Sequence, residues 1–175
     1  ISYLRHIPNL TVMAPKDDME LKAMLELALK HNGPSAIRYP RGKVISNFIP
    51  IYSGQISNSE LEIGKGEILK EGSDIALIAI GNVVHPALAA AERLEKDGIK
   101  ASVINARFIK PLDKELILKI ASKTKRIITI EENMIAGGFG SAVLEYLNSM
   151  DIPDIKIKIL GIPDEFVEQG SQAIL

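Results

Sequence analysis

The sequence predicts an α/β protein: an open, mostly parallel sheet with helices on both faces. Three observations carry that expectation. From Ile75 onward, strand-like and helix-like segments alternate with short connections, the pattern of strand–crossover–strand units with right-handed crossovers. Residues 75–80 are apolar throughout, as a strand covered on both faces requires. The helical stretches each carry one apolar stripe at three- and four-residue spacing.

Taken in order, residues 10–14 are a short run of strand formers that Pro15 ends. Asp17 and Glu20 then have the spacing of a helix-capping pair, whose side chains meet the free amides of a first turn. Leu21, Met24, Leu25 and Ala28 follow as one apolar face, and Asn32-Gly33-Pro34 closes the helix. Residues 35–39 make a second strand, so the opening segment is one β-α-β unit ending at Pro40-Arg41-Gly42. Residues 43–60, with Pro50, Gly54 and a Ser-Asn-Ser stretch, show no sustained period and read as a linker to a second domain. Residues 64–72, bounded by glycines, fit an antiparallel edge strand or hairpin arm.

The second part opens with the strand over 75–80. Asn82 is placed to cap the next helix and Pro86 fits its first turn. Ala87, Ala90, Ala91 and Leu94 give that helix a thin apolar face, and Gly98 stops it. Residues 102–109 form the next strand. Asp113 caps a helix with Leu116, Ile117, Ile120 and Ala121 on one side, and residues 127–131 are a strand. Gly137-Gly138-Phe139-Gly140 leads into a helix with Ala142, Val143, Tyr146 and Leu147 inward, and residues 155–160 are the last strand.

Composition narrows the function classes. The chain of 175 residues has room for one large domain or two small ones, and 46% hydrophobic residues supply a real core. Lys plus Arg number 21 against 22 Asp plus Glu, a balance that argues against a general nucleic-acid or anionic-membrane binder. Without cysteine there is no disulfide, thiolate metal site or thiol nucleophile, and a cytoplasmic setting fits. No apolar run reaches the roughly 20 residues of a membrane span. No initiator Met or signal pattern opens the chain, and it stops in mid-pattern, so both ends read as cuts in a longer chain.

Few residues suggest chemistry. Arg38 and Arg41 flank Pro40 at a strand end, where open α/β sheets bind ligands, and a guanidinium fork suits phosphate or carboxylate. On spacing alone, an exit turn with solvent-facing arginines is the better reading. The amides of Gly137-Gly138-Phe139-Gly140 could cradle an anion. That run matches neither a P-loop nor a dinucleotide fingerprint, so a tight strand-to-helix turn is favoured. Glu131 and Glu132 are adjacent on a strand and face opposite ways, so they are not an acid/base pair. Arg107 and Lys110 could pair with them or with a partner subunit. His6, His31 and His85 are scattered without metal-ligand spacing and read as structural or solvated. No serine sits in a nucleophile elbow.

Several motifs occur in one order: Tyr3-Leu4-Arg5-His6-Ile7-Pro8-Asn9, Ala14-Pro15-Lys16-Asp17, Gly33-Pro34-Ser35-Ala36-Ile37-Arg38-Tyr39-Pro40-Arg41-Gly42, Ile63-Gly64-Lys65-Gly66, Arg107-Phe108-Ile109-Lys110-Pro111-Leu112-Asp113, Glu131-Glu132-Asn133, Gly137-Gly138-Phe139-Gly140 and Leu160-Gly161-Ile162-Pro163-Asp164. Over essentially the whole chain, the series resembles the C-terminal portion of the 1-deoxy-D-xylulose-5-phosphate synthase family, within the transketolase-like superfamily. The Arg-Tyr-Pro-Arg-Gly stretch is what points to this family in particular.

The resemblance implies a β-α-β tail of a pyrimidine-binding domain over residues 1–43, a linker over 44–60 and a transketolase C-terminal domain over 61–175. It implies an enzyme that condenses pyruvate with D-glyceraldehyde 3-phosphate, losing carbon dioxide, on thiamine diphosphate and magnesium. The product would feed isoprenoid, thiamine and pyridoxal synthesis, and the enzyme would be a cytoplasmic homodimer. The family's phosphate-contacting arginine falls on Arg41; Arg38 is a weaker candidate that could instead support the loop. The family's metal motif, its cofactor-activating Glu and its active-site His residues have no matching positions here. The resemblance therefore assigns no catalytic, cofactor or metal residue to this chain, and the chain alone is expected to be inactive. The C-terminal domain would supply dimer contacts and buttress the pyrimidine-binding domain. Two alternatives stay open: another thiamine enzyme, a transketolase or a 2-oxo-acid dehydrogenase β subunit, and a noncatalytic interaction module.

Overall fold

The computed structural model describes residues 1–41 and 61–170; the linker expected over 44–60 and Gly42 lie outside the described residues. Asp17 accepts the Glu20 amide at 2.7 Å, so helix α2 (Asp18–Lys30) starts where the acidic pair predicts. Strand β1 (Thr11–Met13) before it and β2 (Ser35–Ile37) after it pair in parallel, with Met13 beside Ile37. This is the expected β-α-β unit, preceded by a short helix α1 (Ser2–Arg5).

In the larger sheet β4 (Ile75–Ala79) lies between β5 (Ala101–Asn105) and β7 (Arg126–Met134), parallel to both. Strand β8 (Lys156–Ile162) extends it in parallel beyond β7. Strand β3 (Glu67–Lys70) closes the other edge antiparallel to β5, as the glycine-bounded segment predicts. Helix α3 (Val84–Lys96) covers one face, packing Val84, Ala87, Leu88 and Ala91 with Leu77, Ala79 and Val103. Helices α4 (Lys114–Thr124) and α5 (Phe139–Asn148) cover the other, packing Ile117, Ile120, Phe139 and Val143 with Ala76, Ile78 and Ile127. Each large side chain buried this way stabilises the fold by roughly 1.5–3 kcal/mol over its exposed state.

Residues 102–109, expected as one strand, are two. Strand β5 stops at Asn105, and Arg107 takes φ 58°, in the left-handed region that costs a residue with a Cβ. Strand β6 (Phe108–Lys110) then leaves the larger sheet and pairs antiparallel with β1, Met13 beside Phe108. The smaller sheet is thus ordered β2-β1-β6, and Phe108 joins Met13 and Met24 in a core of its own. The apolar pairs Val103-Ile104 and Phe108-Ile109, one on each side of Asn105-Ala106-Arg107, conceal this bend, because both are buried.

Three local expectations fail for identifiable reasons. Asn82 does not cap α3: Gly81–Val83 form a 3-10 turn in which the Val84 amide bonds the Gly81 carbonyl, so backbone supplies the entry to the helix. Pro86 and Gly98 (φ 80°) do sit in the first turn and just past the end. Ala90 is exposed, and Val84 and Leu88 fill the core position expected of it. On α2, Leu25 is half exposed and the inward residues are Met24 and, unexpectedly, Glu20.

Candidate functional site

The carboxyl ends of strands from both sheets meet. Ala14 and Pro15 follow β1, Arg38 follows β2, and Gly81 follows β4. A Cβ on Gly81 would lie 3.4 Å from Ala14 Cβ and 3.9 Å from Arg38 Nη1, and its φ of 68° favours glycine as well. Ligands of open α/β sheets bind at such carboxyl ends. The Arg38 amide donates to the Met13 carbonyl at 2.8 Å, the bond that ends the β1–β2 ladder. The Arg38 guanidinium reaches across to the other sheet and pairs with Glu132 on β7. Arg41, three residues on, is exposed.

Glu131 points the other way from Glu132, as strand alternation requires. It is only 4% exposed, and its carboxylate receives the Phe139 amide on Oε2 and the Gly140 amide on Oε1, each at 2.7 Å. The glycine-rich turn therefore does cradle an anion at a helix N-terminus, and the anion is the protein's own Glu131. The favoured reading, a tight strand-to-helix turn, is the one the structure shows, its amides being taken by Glu131. Gly138 has no room for a side chain: a Cβ there would collide with both the Glu131 carboxylate and the Met134 carbonyl. Burial raises the Glu131 carboxyl above its ordinary range, and the two amides only partly offset this. From outside, Arg5 Nη1 donates to the Gly137 and Gly138 carbonyls at 2.9 Å, and Nη2 pairs with Glu145 at 2.6 Å.

Arg107 and Lys110 do not pair with Glu131 or Glu132. Lys110 Nζ donates to the Arg5 carbonyl at 3.0 Å and the Ile7 carbonyl at 2.5 Å. Arg107 enters a buried network: Nε donates to Glu20 at 2.7 Å and Nη2 to Glu67 at 2.8 Å. Lys16, 4% exposed, stands 3.3 Å from both carboxylates and 3.6 Å from Asp17, and Asn105 Nδ2 donates to Glu20 at 2.9 Å. Burial alone would raise the Glu20 carboxyl, but the Lys16 ammonium and the Arg107 guanidinium outweigh it and hold the value below the ordinary carboxylate range. Sequence reasoning saw Glu20 only as a capping partner. It does accept the Lys16 amide at 2.8 Å, but its second role needs the bend at Arg107, which no local pattern announces.

The histidines behave as the sequence suggests. His6 is exposed, His31 Nε2 is 3.4 Å from Thr11 Oγ1, and His85 Nε2 donates to the Lys16 carbonyl at 2.8 Å. Among the described residues no three or more His, Cys, Asp or Glu side chains gather as a metal-ligand set, and no helix is long and apolar enough to cross a membrane.

Comparison with known proteins gives this geometry a lineage. Residues 64–175 match the family described as transketolase, C-terminal domain, and residues 1–46 match the transketolase pyrimidine binding domain. The chain is 59% identical, over its full length, to a 1-deoxy-D-xylulose-5-phosphate synthase of Desulfotalea psychrophila, of which it covers 27%. It is 56% identical, over 98% of its length, to 1-deoxy-D-xylulose-5-phosphate synthase 1 of Geobacter sulfurreducens, covering 26%. It thus spans about a quarter of the length of these relatives. A solved structure titled split gene transketolase, inactive beta4 tetramer, superposes with a TM-score of 0.87 at 35% identity, covering 99% of this chain and 54% of that one. A transketolase of Campylobacter jejuni shares the fold with a TM-score of 0.70 at 23% identity, covering 99% of this chain and 24% of that one.

Proposed function

We propose that this chain, which belongs to the transketolase C-terminal domain family, is part of a 1-deoxy-D-xylulose-5-phosphate synthase. The observation that carries the reading is the 59% identity to such a synthase along the entire chain. The reaction joins pyruvate to D-glyceraldehyde 3-phosphate with loss of carbon dioxide and gives 1-deoxy-D-xylulose 5-phosphate. We place residues 1–43 in the pyrimidine-binding domain and 61–175 in the C-terminal domain of a cytoplasmic homodimer.

Arg41 is the proposed contact for the triose phosphate. It is exposed beyond a strand carboxyl end, where a guanidinium can meet a dianionic phosphate. Arg38, already paired with Glu132, serves the loop rather than the substrate.

The described residues do not fit thiamine diphosphate and magnesium. The amides at the α5 N-terminus hold Glu131, and no carboxylate or histidine set is placed to ligate a metal among the described residues. When bound, the cofactor supplies the carbanion chemistry of decarboxylation. The proposal assigns its site to the remainder of the longer protein and expects no turnover from this chain alone.

The test is an assay of the complete protein with pyruvate and three acceptors: D-glyceraldehyde 3-phosphate, a sugar phosphate and a lipoyl carrier. Carbon dioxide release with 1-deoxy-D-xylulose 5-phosphate formation only from the first supports the reading. Ketose exchange between sugar phosphates would make the protein a transketolase instead.

A further inference from the structure

We infer that Glu132 is a positioning residue that aims Arg41 by gripping Arg38. The inference rests on the reading of Arg41 as the phosphate contact. The segment from Arg38 to Arg41 leaves the small sheet just after its last ladder bond, from the Arg38 amide to Met13. Beyond that bond, Pro40 has no amide to donate and a fixed φ, so the exit direction is inherited from Arg38. Arg38 is fixed at two points that belong to different sheets: its amide on β1, and its guanidinium on Glu132 of β7. Gly81, at the end of β4, lies beside the guanidinium: a Cβ there would stand 3.9 Å from Arg38 Nη1, in ordinary contact. The strand that carries Glu131 into the α5 cap therefore carries Glu132 to the base of the Arg41 segment.

The ion pair has a second consequence. With Glu132 in place, the Arg38 charge is satisfied locally and, among the described residues, Arg41 is the cation presented at the exit. Without it, Arg38 is a free guanidinium three residues away and competes for the same phosphate in another geometry. Both members of the pair keep about a third of their side-chain surface, 30% and 31%, so solvent screens the attraction and its share in stability is small. A residue that contributes little to stability and much to geometry shows itself in substrate affinity.

The experiment is steady-state kinetics on the complete synthase carrying Glu132→Gln, Glu132→Asp or Arg41→Ala, with thermal unfolding of each. Glu132→Gln should raise KM for D-glyceraldehyde 3-phosphate about tenfold, with kcat within about twofold. KM for pyruvate and the use of unphosphorylated D-glyceraldehyde should stay as in the parent. Glu132→Asp, which keeps the charge, should recover most of the affinity, and Tm should hardly move. If Arg41→Ala raises KM for the triose phosphate while Glu132→Gln does not, the inference fails and the reading of Arg41 stands. If Arg41→Ala leaves that KM unchanged, the reading of Arg41 fails and takes the inference with it. A Glu132→Gln enzyme that loses kcat, both KM values and Tm together would make the pair merely structural and overturn the inference.

Discussion

Arg107 Nε lies 2.7 Å from Glu20 Oε1 across 87 residues of sequence. One partner belongs to the opening β-α-β unit and the other to the bend between the two sheets. The contact explains how a residue with a Cβ is kept at φ 58°: the conformation that sends β6 to β1 also delivers the guanidinium to two carboxylates.

Removing one partner leaves the remaining charges of this mostly buried network out of balance, each keeping only part of its pairing. Glu20→Gln and Arg107→Met should each destabilise the chain by about 3 kcal/mol. Urea unfolding checks this, with Lys65→Met as control: its partner Glu115 is exposed, so the midpoint should stay put. Equal midpoints for all variants would mean that the network contributes nothing.

The same pair sets an acid limit. A carboxyl held below its ordinary value in the folded state contributes stability that is complete above the unfolded pKa, about 4.3 for glutamate, and is lost as pH falls through the depressed folded value. The stability difference between the parent chain and Glu20→Gln should therefore be constant from neutral pH down to that range and shrink below it. Denaturant titrations at stepped pH read this directly, and a difference that grows on acidification would refute the assigned direction.

How far the sequence disclosed all this depends on the range of the interaction. Caps set by neighbours three residues apart, Asp17 with Glu20 and Asp113 with Leu116, were legible, because a local side chain meets a local amide. The parallel sheet was legible from the apolar run of β4, and the edge strand from its bounding glycines. The split of residues 102–109 was not, because both halves carry buried apolar residues and only tertiary partners for Arg107 hold the bend. At the candidate site the sequence placed Arg38 at a strand end and Glu131 with Glu132 on one strand, which runs on past them to Met134. It could not show that Glu131 caps α5 and Glu132 holds Arg38, since those partners lie 8 and 94 residues away.

Glu131→Gln tests the internal anion. The amide side chain keeps the size but presents N–H to one of the two backbone amides that now share the carboxylate. The loss should be about 1–3 kcal/mol near neutral pH, seen as a lower urea midpoint and faster hydrogen exchange at Phe139 and Gly140. Its sign with pH opposes that of Glu20. The raised folded value means that ionisation costs stability as pH climbs from the ordinary glutamate range through the folded pKa, so the parent's margin over Glu131→Gln should narrow over that interval.

Asp113 offers the sharpest separation of local from long-range roles. Its Oδ1 accepts the Leu116 amide at 3.0 Å and caps α4, while Oδ2 accepts the Gly66 amide at 2.9 Å and fastens the chain entering β3. Asp113→Ala removes both acceptors, about 1 kcal/mol for the cap and about 1–3 kcal/mol for the Gly66 amide if it stays buried and unpaired. Asp113→Asn keeps one oxygen, and the cap is the better use of it because asparagine caps as well as aspartate. The alanine variant should thus expose both amides to hydrogen exchange, and the asparagine variant only that of Gly66. Protection of Gly66 in the asparagine variant, with Leu116 exchanging fast, would show that the tie to β3 is the stronger of the two bonds and that α4 tolerates an uncapped start.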